Sequence, residues 1–174
     1  MTDLAKAMPS NINLEKWEDV GFLWNGELLV KELPRLASLV ADNDGALIVS
    51  AKLNKQAGIL WLVFDVQGAL ILTCQRCLDR MELDVSGEYR LAILHSDDEI
   101  NRIDGAEYVL LDELGEDTRK MLPLKDLLED ELILLLPASP RHEDCQSLLG
   151  EMTEVAEEQN NPFAVLADLK GKLS

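Results

Sequence analysis

Residues 69–94 have the sequence ALILTCQRCLDRMELDVSGEYRLAIL, in which two β-strand patterns flank a Cys-x-x-Cys motif. After Cys77 the apolar residues alternate with polar ones, and the apolar set is Met81, Leu83, Val85, Tyr89, Leu91 and Ile93. This alternation is typical of an antiparallel strand with one buried and one solvated face. We therefore predict one long strand over residues 81–93 and place Cys74-Gln75-Arg76-Cys77 at the tip of a hairpin.

The neighbouring segments predict further strands of the same sheet. Residues 46–53 and 59–66 are apolar and β-branched, and residues 54–58 would join them as a hairpin loop. Residues 69–73 and 108–111 predict two shorter strands. Because short strands follow one another through tight turns, we expect an antiparallel β-sheet of about five strands.

Helices are expected around this sheet. Residues 122–136 combine acidic residues with leucines spaced three and four apart, so this amphipathic acidic-apolar helix should lay its leucine face on the sheet. Pro34 suits the first turn of a short N-terminal helix over residues 33–40. Asn161 and Pro162 suit the start of a C-terminal helix. The predicted fold class is α+β.

The chain divides into three parts by composition. Residues 1–142 predict a single α+β domain, residues 143–160 an acidic flexible linker, and residues 161–174 a C-terminal docking helix. Because such a short helix is not stable alone, its apolar face should dock on another surface, and Pro162 and Phe163 should be among the contacts. Docking on its own domain and docking on a partner both remain open.

Charge is distributed unevenly along the chain. The net charge is −17, and the span from Asp97 to Glu158 holds 19 acidic and 5 basic residues, a net of −14. Such a field repels nucleic-acid phosphates and attracts basic partners, although an acidic surface that only aids solubility is the simpler alternative.

The cellular compartment is predicted from features that the sequence lacks. The sequence has no apolar run near the ~18 residues of a membrane span and no basic segment followed by an apolar block at its start. Three cysteines, an odd number, argue against a disulfide scaffold. A cytoplasmic protein is the expectation.

The cysteines allow a zinc site. A hairpin-borne pair, Cys74 and Cys77, can supply two ligands, and His142 and Cys145, three residues apart after the predicted helix, could supply the rest. The alternative is a metal-free pair of small apolar or redox-labile cysteines, because nothing in the sequence joins His142 and Cys145 to the hairpin.

Enzymatic interpretations find less support. A thiol oxidoreductase using Cys74 and Cys77 would need the pair at a helix N-terminus, whereas strand patterns flank it here. A nucleophilic pair of Cys77 and His142 would require contact between residues that the sequence keeps far apart. No glycine loop suited to phosphates is present. We predict that the protein is not an enzyme and see no small-molecule substrate.

Three motifs in series resemble the YceD family, bacterial proteins associated with accumulation of the 23S ribosomal RNA. The motifs are LTCQRCLDRM at 72–81, DLLEDELILLLPASPRHEDC at 126–145 and NPFAVLADLK at 161–170. The resemblance implies a non-enzymatic role in synthesis, processing or stability of that RNA. Many relatives carry further cysteines after the helix, which implies a metal site, and here only Cys145 follows it, with His142.

Two mechanisms are compatible with such a role in ribosome biogenesis. In the first, the acidic half holds a basic ribosomal protein or the large-subunit precursor, and the candidate contacts are Asp126, Glu129, Asp130 and Glu131. In the second, a hairpin face contacts ribosomal RNA directly, and the candidate contacts are Arg76, Arg80 and Arg90. Composition favours the first, because each phosphate contact normally needs a lysine or arginine.

Overall fold

The computed structural model describes residues 7–111 and 121–146. The elements follow in the order β1 (Ile12–Asn13), α1 (Leu14–Trp17), β2 (Phe22–Leu29), α2 (Pro34–Ala37), β3 (Ala46–Gln56), β4 (Ile59–Gln67), β5 (Ala69–Thr73), β6 (Arg80–Asp84), β7 (Gly87–Leu94), β8 (Tyr108–Leu110), β9 (Met121–Leu122) and α3 (Leu124–Leu134). Two 3₁₀ helices lie at Val30–Glu32 and Asp97–Arg102. The α+β class is confirmed.

The strands of the described chain form three sheets, so the prediction of one antiparallel sheet was wrong. The largest sheet has five strands in the order β2-β3-β4-β7-β8, while β5 pairs with β6 and β1 with β9 in two-stranded sheets. Strand β8 pairs with β7 in parallel. Residues 95–107 separate β7 from β8, and this is enough chain for the crossover that parallel pairing needs. The sequence interpretation had assumed a tight turn between these strands.

Strand β2 was not predicted from the sequence. Its centre is Asn25-Gly26, a dipeptide that usually marks a hairpin turn. Here Gly26 lies opposite Val49 within an unbroken antiparallel ladder with β3. Tertiary pairing therefore overrides the local turn preference.

The predicted long strand is two strands that belong to one bent hairpin. Val66 lies opposite Gly87 in the main sheet and Ala69 lies opposite Asp84 in the small one, so the register continues across the bend. At the bend Gly68 has a φ of +141°, and a Cβ there would lie 2.8 Å from Leu47 Cδ2. The Val85 N–H donates to the Gly68 carbonyl at 3.0 Å. The bend carries the cysteine hairpin out of the main sheet.

One buried cluster joins the main sheet to α3. Phe64 and Ile93 from the sheet belong to the same cluster as Leu124, Leu128 and Leu132 from the helix. Four leucines of the predicted face are buried: Leu124, Leu127, Leu128 and Leu132. The helix is shorter than the predicted 122–136, because it begins directly after Pro123 and ends at Leu134, and Leu135 of the predicted face is exposed beyond its end. Within the described ranges, no helix has both the length and the apolar character needed to cross a bilayer. The predicted linker beyond residue 146 and the C-terminal helix lie outside the described residues.

Candidate metal centre and acidic face

The Cys-x-x-Cys segment forms a tight turn at the tip of the β5–β6 hairpin. The Leu78 N–H donates to the Cys74 carbonyl and the Cys74 N–H donates to the Asp79 carbonyl, both at 2.9 Å. The Arg76 N–H points to Cys74 Sγ at 3.4 Å. Leu78 closes the turn with a φ of +63°, a left-handed conformation that favours glycine. The turn thus keeps the two cysteines on one compact loop.

The segment after α3 lies against this turn. The Gln75 N–H donates to the Pro140 carbonyl at 2.8 Å, and the Ser139 hydroxyl donates to Gln75 Oε1 at 3.0 Å. Arg76 Nη1 donates to the Cys145 carbonyl at 2.8 Å. These bonds join the two regions that the sequence could not connect.

Four candidate ligands meet as a result. The ligand atoms of Cys74, Cys77, His142 and Cys145 all lie within 4.8 Å of one another. Cys74 Sγ lies 3.6 Å from Cys145 Sγ, and Cys77 Sγ lies 3.3 Å from His142 Nδ1. The second ring nitrogen, His142 Nε2, lies 3.1 Å from the Arg80 carbonyl. With the proton on Nε2 donated to that carbonyl, the Nδ1 lone pair faces the sulfurs.

The sulfur atoms are electrostatically unequal. Burial opposes ionisation of Cys74, but the backbone N–H groups of Cys77, His142 and Arg76 outweigh it and lower the pKa of this thiol to about 5. The Asp79 N–H favours the thiolate of Cys77, yet burial and the sulfurs of Cys74 and Cys145 raise the pKa of Cys77 to about 11. Neighbouring thiolates repel one another, and a bound cation removes that repulsion.

The arrangement fits a zinc ion. Zinc is commonly held by three cysteines and one histidine, and Zn–S bonds of ~2.3 Å imply edges of about 3.8 Å between sulfurs of a tetrahedron. The 3.6 Å between Cys74 Sγ and Cys145 Sγ is close to that edge. A zinc ion held by all four side chains would have no position left for a substrate, so the role it could supply would be structural.

The enzymatic alternatives gain little from this geometry. Cys77 and His142 do meet, but the raised pKa of Cys77 disfavours the nucleophilic thiolate. Cys74 has the lowered pKa, but its side chain is fully buried and therefore shielded from a disulfide substrate. The turn also lies between strands and not at a helix N-terminus.

The three arginines predicted to contact RNA do not share one strand face. Arg76 and Arg80 belong to the cysteine hairpin, whereas Arg90 lies on β7 in the main sheet. Arg76 holds the Cys145 carbonyl, as described above. Arg80 Nη2 pairs with Asp42 Oδ2 at 2.9 Å, and the Arg90 guanidinium lies 4.0 Å from the centroid of the Trp61 ring. Each side chain therefore has a partner inside the protein.

The acidic residues of α3 divide into surface and interior groups. Asp126 and Asp130 are exposed, while Glu129 is only 2% exposed and Glu131 only 8%. The Glu129 carboxylate accepts from the backbone N–H groups of Arg35 and Leu36, at the start of α2. Glu129 therefore holds α2 to α3 and is not part of the acidic surface.

Glu131 faces a cavity of about 370 Å³ between α3 and β8. Burial and the nearby carboxyl of Glu107, with a smaller contribution from Asp130, raise the pKa of Glu131 to about 7. Sequence reasoning missed this pair, because Glu107 precedes β8 and is separated from α3 along the chain.

Replacing Glu131 by glutamine is expected to raise the free energy of unfolding at pH 8 by roughly 1–3 kcal/mol. The folded-state pKa of Glu131 exceeds its ordinary value of 4.5, so this carboxyl stabilises the fold fully below pH 4.5 and that contribution is lost as pH rises through about 7. Urea denaturation of both proteins from pH 5 to 8 measures the difference. Glu27→Gln, an exposed site on β2, is the control, and a pH-independent difference would contradict the prediction.

The described residues define a small acidic α+β protein with a hairpin-borne Cys₃His cluster suited to a structural metal ion. The family model described as "Large ribosomal RNA subunit accumulation protein YceD" matches residues 62–170. A Haemophilus influenzae protein with that description is 30% identical over 157 residues, which cover 84% of this chain and 87% of the relative. The chain belongs to the YceD family, as the three motifs predicted. No solved structure matches it.

Proposed function

We propose that this protein is a non-enzymatic ribosome biogenesis factor that acts in the cytoplasm. It supports synthesis, processing or stability of 23S ribosomal RNA by binding a basic ribosomal protein or the large-subunit precursor. Family membership supports the role in ribosomal RNA accumulation, because the matching family model and relative carry that description. The mechanism rests on the charges of the folded chain.

The observation that carries the mechanism is the contrast between the arginines and the acids. The guanidinium groups of Arg76, Arg80 and Arg90 each have a partner within the protein. On α3, Asp126 exposes its side chain, and Asp130 stays half exposed although it pairs with Arg35. A surface of this sign attracts a basic protein and repels RNA. Glu129 is left out of the proposed surface because it is buried, and Pro162 and Phe163 stay candidate contacts of the C-terminal segment.

We further propose that zinc bound by Cys74, Cys77, His142 and Cys145 has a structural role. The ion would join the segment after α3 to the hairpin, adding to the bonds made by Gln75 and Arg76. The hairpin and the end of the acidic helix would then keep a fixed relation to one another, which presents a rigid surface to the partner.

Direct RNA binding is the second candidate, and its supporting observation is Arg90 beside Trp61. An aromatic ring with a guanidinium at 4.0 Å is a combination that also stacks on bases. Arg80 is 68% exposed in its side chain despite its ion pair. These two arginines can therefore be tested without disturbing the cluster, whereas Arg76 cannot because it holds Cys145.

Purification from native lysate at moderate salt, with and without ribonuclease, tests the two mechanisms. Under the proposal, a basic ribosomal protein stays bound after digestion, Asp126→Asn/Asp130→Asn weakens its capture, and Arg80→Gln/Arg90→Gln leaves it nearly intact. The two double variants change the net charge by two units each in opposite directions, so each controls for the other. RNA capture that is lost on digestion, together with loss in the arginine variant, would establish direct RNA binding. Absence of any large-subunit component would overturn the proposed function.

A further inference from the structure

A groove runs between α3 and the main sheet, separate from the cysteine cluster. Its volume is about 370 Å³. The apolar part of its lining is Leu91, Val109, Leu127 and Leu134, together with the ring of Tyr108. Three acidic residues, Glu107, Asp130 and Glu131, complete the charged part of the lining.

The acids of the groove are paired with each other more than with cations. Asp130 forms an ion pair with Arg35. Glu131, more than nine-tenths buried, has a hydrogen bond to the Glu107 carboxyl, and in the described part of the chain neither of these two contacts a lysine or arginine. A carboxylate buried beside a like group is unfavourable unless it is protonated or neutralised by a cation. The raised pKa of Glu131 is consistent with that geometry.

The mouth of the groove is apolar and open to solvent. Leu134 at the end of α3 is 75% exposed, and Tyr108 at the start of β8 is 44% exposed. A cation carried on a long side chain suits this mouth, because its stem and the neighbouring residues can cover the apolar surface. Arginine and lysine have such stems, and arginine offers a planar fork that matches two carboxylates.

We propose that this groove receives an arginine of a partner protein, flanked by apolar residues, with the guanidinium between Glu107 and Glu131. The inference rests on the proposed function in one respect: it gives the basic partner a specific point of contact beyond the surface charge of Asp126 and Asp130. Arginine is favoured over lysine because two carboxyl groups face the same space. The flanking apolar residues would cover Leu134 and Tyr108.

A capped pentapeptide with arginine between two leucines, and glycine at each end, tests the inference on the full-length protein. The matched probe replaces arginine by citrulline, which keeps the shape and removes the charge. Nitrogen-15 NMR titration measures both the dissociation constant and the backbone amides that shift. We expect the arginine peptide to bind about tenfold or more tighter than the citrulline peptide, and to shift the amides of residues in β8 and the second half of α3.

Variants complete the test. Glu131→Gln and Glu107→Gln should each weaken the arginine peptide about tenfold, whereas Glu27→Gln, with the same change of net charge at an exposed site of β2, should not. Equal affinity for the two peptides, or shifts elsewhere in the protein, would overturn the inference. The inference would also be overturned if the arginine peptide failed to bind, including the case in which residues 161–174 occupied the groove. If native capture of a large-subunit component persists in any of these cases, the proposed function survives and only the arginine site is rejected.

Discussion

Replacing Cys74 by serine is expected to lower the zinc bound by the purified, untagged protein from about one equivalent to less than about one tenth. Cys74 is the fully buried member of the cluster, and its sulfur receives backbone N–H groups that favour the thiolate. A serine hydroxyl is a much harder and less acidic ligand, so the remaining three side chains would bind zinc only weakly. Elemental analysis by mass spectrometry measures the metal content directly.

Loss of zinc should also reduce the stability of the protein. A ligand that binds only the folded state stabilises that state by ~4 kcal/mol when its free concentration is about a thousand times its dissociation constant. Treatment with a strong chelator should therefore lower the melting temperature of the wild-type protein and leave Cys74→Ser nearly unchanged. Faster hydrogen exchange at the Gln75 amide, which donates to Pro140, would locate the effect at the contact between the hairpin and the segment after α3.

The two histidines of the chain provide a matched control. His142 lies in the cluster, whereas His95 is exposed in the loop after β7. His142→Ala should lose most of the metal, and His95→Ala should retain it. Wild-type protein with less than about half an equivalent of zinc would dismiss the metal site. The four residues would then be a hydrogen-bonded cluster of a cysteine pair, a third cysteine and a histidine.

Replacing Glu129 by alanine is expected to reduce the free energy of unfolding by about 3 kcal/mol. One carboxylate oxygen accepts from the Arg35 N–H at 2.6 Å and from the Leu36 N–H at 3.0 Å, and the other accepts from Arg35 Nε at 2.8 Å. Leu36 is fully buried, so its amide would lose its partner away from water. Urea denaturation measures the loss, which corresponds to roughly 10 °C in melting temperature for a chain of this size.

Asp130 is the control for this prediction. It also pairs with Arg35, but the side chains of both are half exposed, so Asp130→Ala should change stability by less than about 1 kcal/mol. A double-mutant cycle with Arg35→Ala separates the ion pair from the two backbone bonds. If Glu129→Ala is no more destabilising than Asp130→Ala, Glu129 does not hold α2 in solution.

The helix and most strands could be predicted because their residues repeat with a clear period. The leucine spacing of α3 reflects one buried face. Alternation after Cys77 reflects one wet face along β6 and the first half of β7, whereas residues 91–94 are buried on both faces, which the sequence pattern did not predict. The bend at Gly68 and Val85 was not predictable, because alternation continues through it in register. No element was predicted over β2, whose residues show no clear period; Asn25-Gly26 at its centre prefers a turn when isolated, and pairing with β3 overrides that preference.

The candidate site shows the same division. The sequence identified Cys74, Cys77, His142 and Cys145 by ligand type and spacing, yet it could not bring the two pairs together. The hydrogen bonds of Gln75 and Arg76 to the segment after α3 do so, and these involve backbone carbonyls that carry no sequence signal. Likewise the acidic residues of α3 looked equivalent in sequence, and only packing separated Glu129 and Glu131 from Asp126 and Asp130.

Family, charge and the types of ligand were therefore readable from the amino-acid order alone, since they depend on local composition and on motifs in series. Three features depended on contacts between residues far apart in the chain. They are the contact of the cysteine hairpin with the segment after α3, the burial of Glu129, and the groove that Glu107 and Glu131 line. Such contacts form because the sheet and α3 share one core, and the position of each side chain relative to that core sets whether its charge reaches solvent, a backbone amide or another carboxyl.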